Sequence, residues 1–151
     1  MTLKRMGLLA ILALLATLNV MPATATAGLG CSIDDANLSF DLEAPINREY
    51  GALAGLTGGE IKLKAKQALK MGSALTLERD HIVMYWMYER ELRIGINVEN
   101  DTGSVFLWIV AQQNKGRESY SGRYVLRVSI FDTDIIGREF KGRIKACTAD
   151  G

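Results

Sequence analysis

The chain has a single histidine, only two cysteines and two prolines. One imidazole, His81, rules out most histidine-based metal sites and would make a catalytic triad depend on one position. No Gly-x-Ser-x-Gly elbow accompanies it. Asp80 beside it would point to the opposite face of a strand, so the two are not a base and its orienter. Charge of one sign is not in excess either: 18 Lys and Arg stand against 17 Asp and Glu, for a formal net charge of +1. Near-neutral charge gives no general drive toward nucleic acid, which needs clustered cations against phosphates. No internal repeat, heptad or low-complexity tract is present.

The longest apolar run, Met6 to Val20, is broken by Gly7, Thr17 and Asn19. It falls short of the roughly 20 residues that a membrane span needs. Lys4 and Arg5 precede it, Met21-Pro22 follows it, and Ala23-Thr24-Ala25-Thr26-Ala27 offers small-x-small sites after Ala25 or Ala27. This order predicts a removable secretory leader over residues 1–27, cut after Ala27, and one domain over residues 28–151. Losing Lys4 and Arg5 takes the formal charge from +1 to −1. Cys31 does not fit a lipid-anchoring cysteine, because Gly28 stands where an aliphatic residue belongs. The expected compartment is therefore periplasmic or extracellular, with no integral span once the leader is gone. In such a compartment an even pair of cysteines in a small chain is most simply a disulfide, Cys31 to Cys147, clamping the two ends.

Alternation of apolar and polar residues marks strands at Leu38–Leu42, Glu60–Lys66, Leu92–Val98, Arg123–Phe131 and Phe140–Cys147. Ala74–Leu77 reads as a short strand, and Val105–Ala111 pairs with Leu92–Val98 through a turn at Asn100-Asp101-Thr102-Gly103. Ile82–Tyr88 has no clean period and reads as a strand covered on both faces. Ala44–Gly59, punctuated by Pro45 and four glycines, reads as a long loop carrying Tyr50. Together these predict an all-β fold, an antiparallel β-sandwich or small barrel of about eight strands, closed by one disulfide near the two ends.

Candidate chemistry is sparse. Glu89 and Glu91 would share a strand face as a carboxylate pair of the kind glycoside hydrolysis uses, but Arg90 and Arg93 beside them favour ion pairing at an exposed edge. Asp132-Thr133-Asp134-Ile135-Ile136-Gly137 opens like a calcium loop, then puts Ile136 at a ligand position and Arg143 where the bidentate acid belongs, so it reads as a turn. Neither metal nor cofactor is expected. Lys62, Lys64 and Lys66 form a basic stripe suited to an acidic partner or to guarding a sheet edge. Tyr85, Trp86 and Trp108, with Tyr88 and Phe106, supply core mass or, if one face is open, a platform for a partner or a sugar ring.

These residues predict a non-enzymatic binding module that recognises a protein partner, of inhibitor, immunity or envelope-assembly type, through Tyr50, Lys62, Lys64, Lys66, Tyr85, Trp86 and Trp108. A glycan or cell-envelope component is a further partner class. The competing expectation is a small extracytoplasmic hydrolase using Glu89, Glu91 or His81. A third is a subunit of a larger assembly, which should leave an unpaired edge strand.

Overall fold

A computed structural model of the chain describes residues 27–149 apart from 48, 50, 67, 68, 73 and 135. Almost all of residues 1–27, the expected leader, and Tyr50 lie outside the described residues. Ten strands follow in order: β1 (Ala27–Asp34), β2 (Leu38–Asn47), β3 (Ala52–Leu53), β4 (Gly58–Leu63), β5 (Leu75–Thr76), β6 (Ile82–Tyr88), β7 (Glu91–Asn100), β8 (Gly103–Gln113), β9 (Ser119–Ile130) and β10 (Arg138–Ala149). All pairings are antiparallel, in the order β5-β4-β2-β1-β10-β9-β8-β7-β6, with β3 added to β2. The expected all-β antiparallel class is therefore present, as one sheet curled into a half-barrel.

Period-two patterning explains the curl. Along β8, Val105, Leu107, Ile109 and Ala111 are buried while Phe106, Trp108 and Val110 alternate with them on the outer face. Tyr124, Leu126, Val128 and Ile130 of β9 share the inner face as their spacing predicts, and so do Leu92, Ile94, Ile96 and Val98 of β7. Every strand thus sends an apolar row to the concave side, and the rows merge into one core. The β7–β8 hairpin turns where Asn100 stands, because its side-chain oxygen accepts from the backbone N–H of Thr102 at 2.9 Å and of Gly103 at 3.2 Å.

The first and last strands meet in the middle of the sheet. Cys31 of β1 lies directly opposite Cys147 of β10, and the two form the expected disulfide. A second tie crosses the same junction. Tyr124 faces Gly142 across β9 and β10, and a Cβ at Gly142 would lie 2.5 Å from the Tyr124 hydroxyl. The missing side chain lets the ring lie over β10 and reach the β1–β2 turn. There its hydroxyl donates to Asp35 at 2.5 Å and accepts from Asn37 at 3.0 Å. The other Asp35 oxygen accepts the backbone N–H groups of Asn37 and Leu38.

Four expectations need correcting. β1 was not anticipated: Gly28 and Gly30 mask an alternation in which Ala27, Leu29, Cys31 and Ile33 are all buried. Ala27, the last residue of the expected leader, opens this strand opposite Ile46. The expected loop over Ala44–Gly59 is instead β2 running on to Asn47, a turn, and β3. Pro45 is tolerated in β2 because its carbonyl accepts from Ala54, so its missing N–H also faces the short β3 and the ladder to β1 is intact. β6 is not covered on both faces, since Val83, Met84, Trp86 and Tyr88 are exposed. The alternation at Phe140–Cys147 places Ala146 inward with Ile144, but a bulge between Ile144 and Cys147 turns it outward.

Candidate functional site

The residues proposed for catalysis do not converge. His81 ends a 3-10 turn at Arg79–His81, where its Nδ1 accepts the Glu78 N–H at 2.9 Å, a capping role. Glu89 sits in the β6–β7 turn with φ 52°, at the far end of β6. Seven residues of strand at about 3.3 Å each put roughly 23 Å between them. Glu91 is bound by Arg93 at 2.5 Å. Among the described residues no group of three or more His, Cys, Asp or Glu side chains could hold a metal ion, and no helix is long and apolar enough to cross a membrane.

The basic stripe is occupied by its own neighbours. Lys62 pairs with Glu60 at 2.6 Å, which holds the ammonium above its ordinary pKa, and Lys64 pairs with Asp34. Lys66 is exposed past the end of β4. β4 is not itself the sheet edge, yet β5 covers it only at Glu60 and Ile61, so these lysines flank backbone that β5 leaves uncovered.

The aromatic residues divide. Tyr85 points inward, packs against the core and donates to the Met87 sulfur at 3.7 Å. Its burial, with the nearby Tyr120, pushes the phenol up to about 12. Trp86 lies on the outer face with Met84 and Tyr88, and Trp108 lies two strands away on that face with Phe106. Register arranges these side chains in rows across the sheet. One row reads Met84, Gly95, Trp108, Val125, Lys141, and the next reads Trp86, Arg93, Val110, Arg123, Arg143.

Gly95 shapes the first row. A Cβ there would lie 3.0 Å from the Trp108 ring and 3.2 Å from Met84 Cβ. The bare backbone lets the indole lie across β7 and close the gap to β6. Phe106 stacks on Trp108 with centroids 6.2 Å apart and an interplanar angle of 16°. In the second row the Arg93 guanidinium stands 5.1 Å from the Trp86 ring centre, and Tyr88 lies 5.9 Å from Trp86. These rings touch one another and Arg93 yet are open to solvent, with Trp86 39% and Tyr88 61% exposed.

Between the two rows, from β8 to β10, runs a groove of about 370 Å³, with Trp108, Val110 and Val125 as its apolar lining and Arg123 and Lys141 at its sides. Sequence reasoning named Trp86 and Trp108 but not Met84, Gly95, Arg93, Arg123 or Arg143, because only pairing register brings them together. No protein-family model matches the chain, and no curated protein or solved structure matches it either.

Proposed function

We propose that the chain is an exported, non-enzymatic binding module that holds a protein partner against the outer face of β6, β7 and β8. The observation that carries this reading is the exposed cluster of Met84, Trp86 and Tyr88, with Trp86 in contact with both Tyr88 and Arg93 and the half-buried Trp108 on the same face. Large aromatic residues left open on a sheet do not stabilise the fold by burial, and they are the residue types that dominate binding energy at interfaces. The disulfide is compatible with an oxidising compartment. The hydrolase reading lacks a pocket where His81, Glu89 and Glu91 meet.

A photo-crosslinking residue in place of Tyr88, used in the native host, should capture one protein partner. Trp86→Ala should then weaken the purified pair by at least about tenfold, the effect of losing a central aromatic anchor. Equal binding by the variant would overturn the reading. So would the absence of any captured protein together with turnover of a cell-wall substrate lost on Glu89→Gln.

A second reading, a subunit that accepts a strand from a neighbour, draws on a different observation. β6 ends the sheet, and although β3 lies against part of it, no backbone ladder joins the two. Deuterium exchange of the β6 amides would slow on assembly under this reading and stay unchanged otherwise.

A further inference from the structure

Resting on the reading of the chain as a protein-binding module, we infer that Arg123 and Arg143 form a carboxylate-binding pair at the border of the aromatic face. The partner they fit is a protein surface whose apolar side chains are ringed by Asp or Glu. Arg123 of β9 lies directly opposite Arg143 of β10, and both are exposed on the outer face. Like charges placed opposite each other on neighbouring strands oppose the fold. Among the described residues neither guanidinium has an ion pair or hydrogen bond. Acids on the surrounding strands are engaged elsewhere. Asp34 and Asp35 line a separate groove with Arg143, over β1 and β10, but Lys64 holds one and Tyr124 the other. Glu139, two residues before Lys141 on β10, is held by both Arg127 at 3.1 Å and Lys141 at 2.8 Å.

The surroundings choose the partner class. Arginine's planar fork binds carboxylates in two-bond fashion, so the pair selects acidic groups. The lining beside it is Val110, Val125 and Trp108, followed by Met84. Aliphatic side chains cannot satisfy sugar hydroxyls, and covering those hydroxyls without partners is unfavourable. Apolar protein side chains meet no such penalty. Arg93 stands over Trp86 and is paired with Glu91 at 2.5 Å, so Arg123 and Arg143 are the arginines of this row left open to an acidic rim.

The test uses the oxidised chain as exported, with a random glutamate–tyrosine copolymer as the protein-like acidic probe and polygalacturonate as the glycan one. The wild-type chain should bind the copolymer at least about tenfold tighter than polygalacturonate, and binding should weaken as salt rises. The double variant Arg123→Gln/Arg143→Gln should lose at least about tenfold of that binding while its thermal midpoint stays equal or rises. Unchanged binding by the double variant overturns the proposal. A preference for polygalacturonate overturns the choice of partner class. A fall in midpoint that accompanies the loss of binding would make the pair structural. If the crosslinked partner depends on Trp86 but not on Arg123 and Arg143, this inference fails and the binding-module reading stands; if it depends on neither, both fail.

Discussion

The outer surfaces of the two halves of the sheet are built on different rules. On β1, β2 and β4 the outward positions are Gly28, Gly30, Ser32, Ser39 and a set of charges in which Glu60 is paired with Lys62 and Asp34 with Lys64. On β6 and β8 the same positions hold Met84, Trp86, Tyr88, Phe106, Trp108 and Val110, while β7 and β9 carry Glu91, Arg93, Asn97, Arg123 and Arg127, and two arginines face each other at the β9–β10 border. The edges differ in the same way. β5 is two residues long beside lysines, whereas β6 runs seven residues, Ile82–Tyr88, without a charge or a proline. Short strands, lysine and proline are the usual protection against unwanted pairing. The first half follows what water demands of a surface. The second departs from it on β6 and β8, where large apolar side chains stand on the outer face, and in an edge strand guarded by a bulge between Ile82 and Met84 rather than by charge.

The largest effect that would break this contrast comes from the bond joining the halves. Replacing Cys31 and Cys147 by serine should lower stability by up to about 4–5 kcal/mol, read from the denaturant midpoint, since the bond closes a loop with a sequence separation of 116. If β1 and β10 are the junction, deuterium exchange should then show the halves opening separately; uniform opening would deny that they are distinct units.

A smaller loss follows from the second tie. Tyr124→Phe removes the hydroxyl between Asp35 and Asn37 and should cost about 1–2 kcal/mol. The pH dependence has a definite sign. Burial by itself would raise Asp35, but the Tyr124 hydroxyl, the N–H groups of Asn37 and Leu38 and the Lys64 charge outweigh it and hold the carboxyl below its ordinary value. Burial first, then the Asp35 carboxylate, raises the Tyr124 phenol. A lowered folded pKa stabilises above about pH 4 and is lost as pH falls through the folded value. Tyr124→Phe should therefore flatten the acid limb of a stability–pH curve, and an unaltered limb would show that the hydroxyl does not govern Asp35.

The smallest effects sharpen the contrast most. Lys62→Ala removes one partner of an exposed ion pair and should change stability by less than about 0.5 kcal/mol, slightly downward, with no effect on partner binding. A Lys62 variant that lost binding as fully as Trp86→Ala would erase the distinction between the two faces.

Legibility followed the range of the signal. The β7–β8 hairpin, the inner face of β9 and the disulfide rest on neighbouring residues or on simple pairing of two cysteines, and all three were readable. β1 was hidden because glycine and a presumed leader boundary obscured a sound alternation at Ala27, Leu29, Cys31 and Ile33. Pro45 looked like a breaker because the side of the strand its nitrogen faces depends on a neighbour. β6 was misread for a related reason: an unperiodic apolar run fits a doubly covered strand and an aromatic edge equally, and only sheet order separates them. The site lay further out of reach. Its parts come from five strands, and a shift of one residue in any pairing would scatter Trp86, Arg93, Arg123 and Arg143 over both faces.

Because β1 lies between β2 and β10, the sheet cannot be completed until β10 arrives. β6 through β10 follow one another as neighbours and can zip up locally, while β1 must wait with half its backbone groups unmatched. A chain stopped short of Arg138 would keep Cys31 as a thiol on a strand with one side unpaired, so the sulfur bridge can close only after β10 has been made.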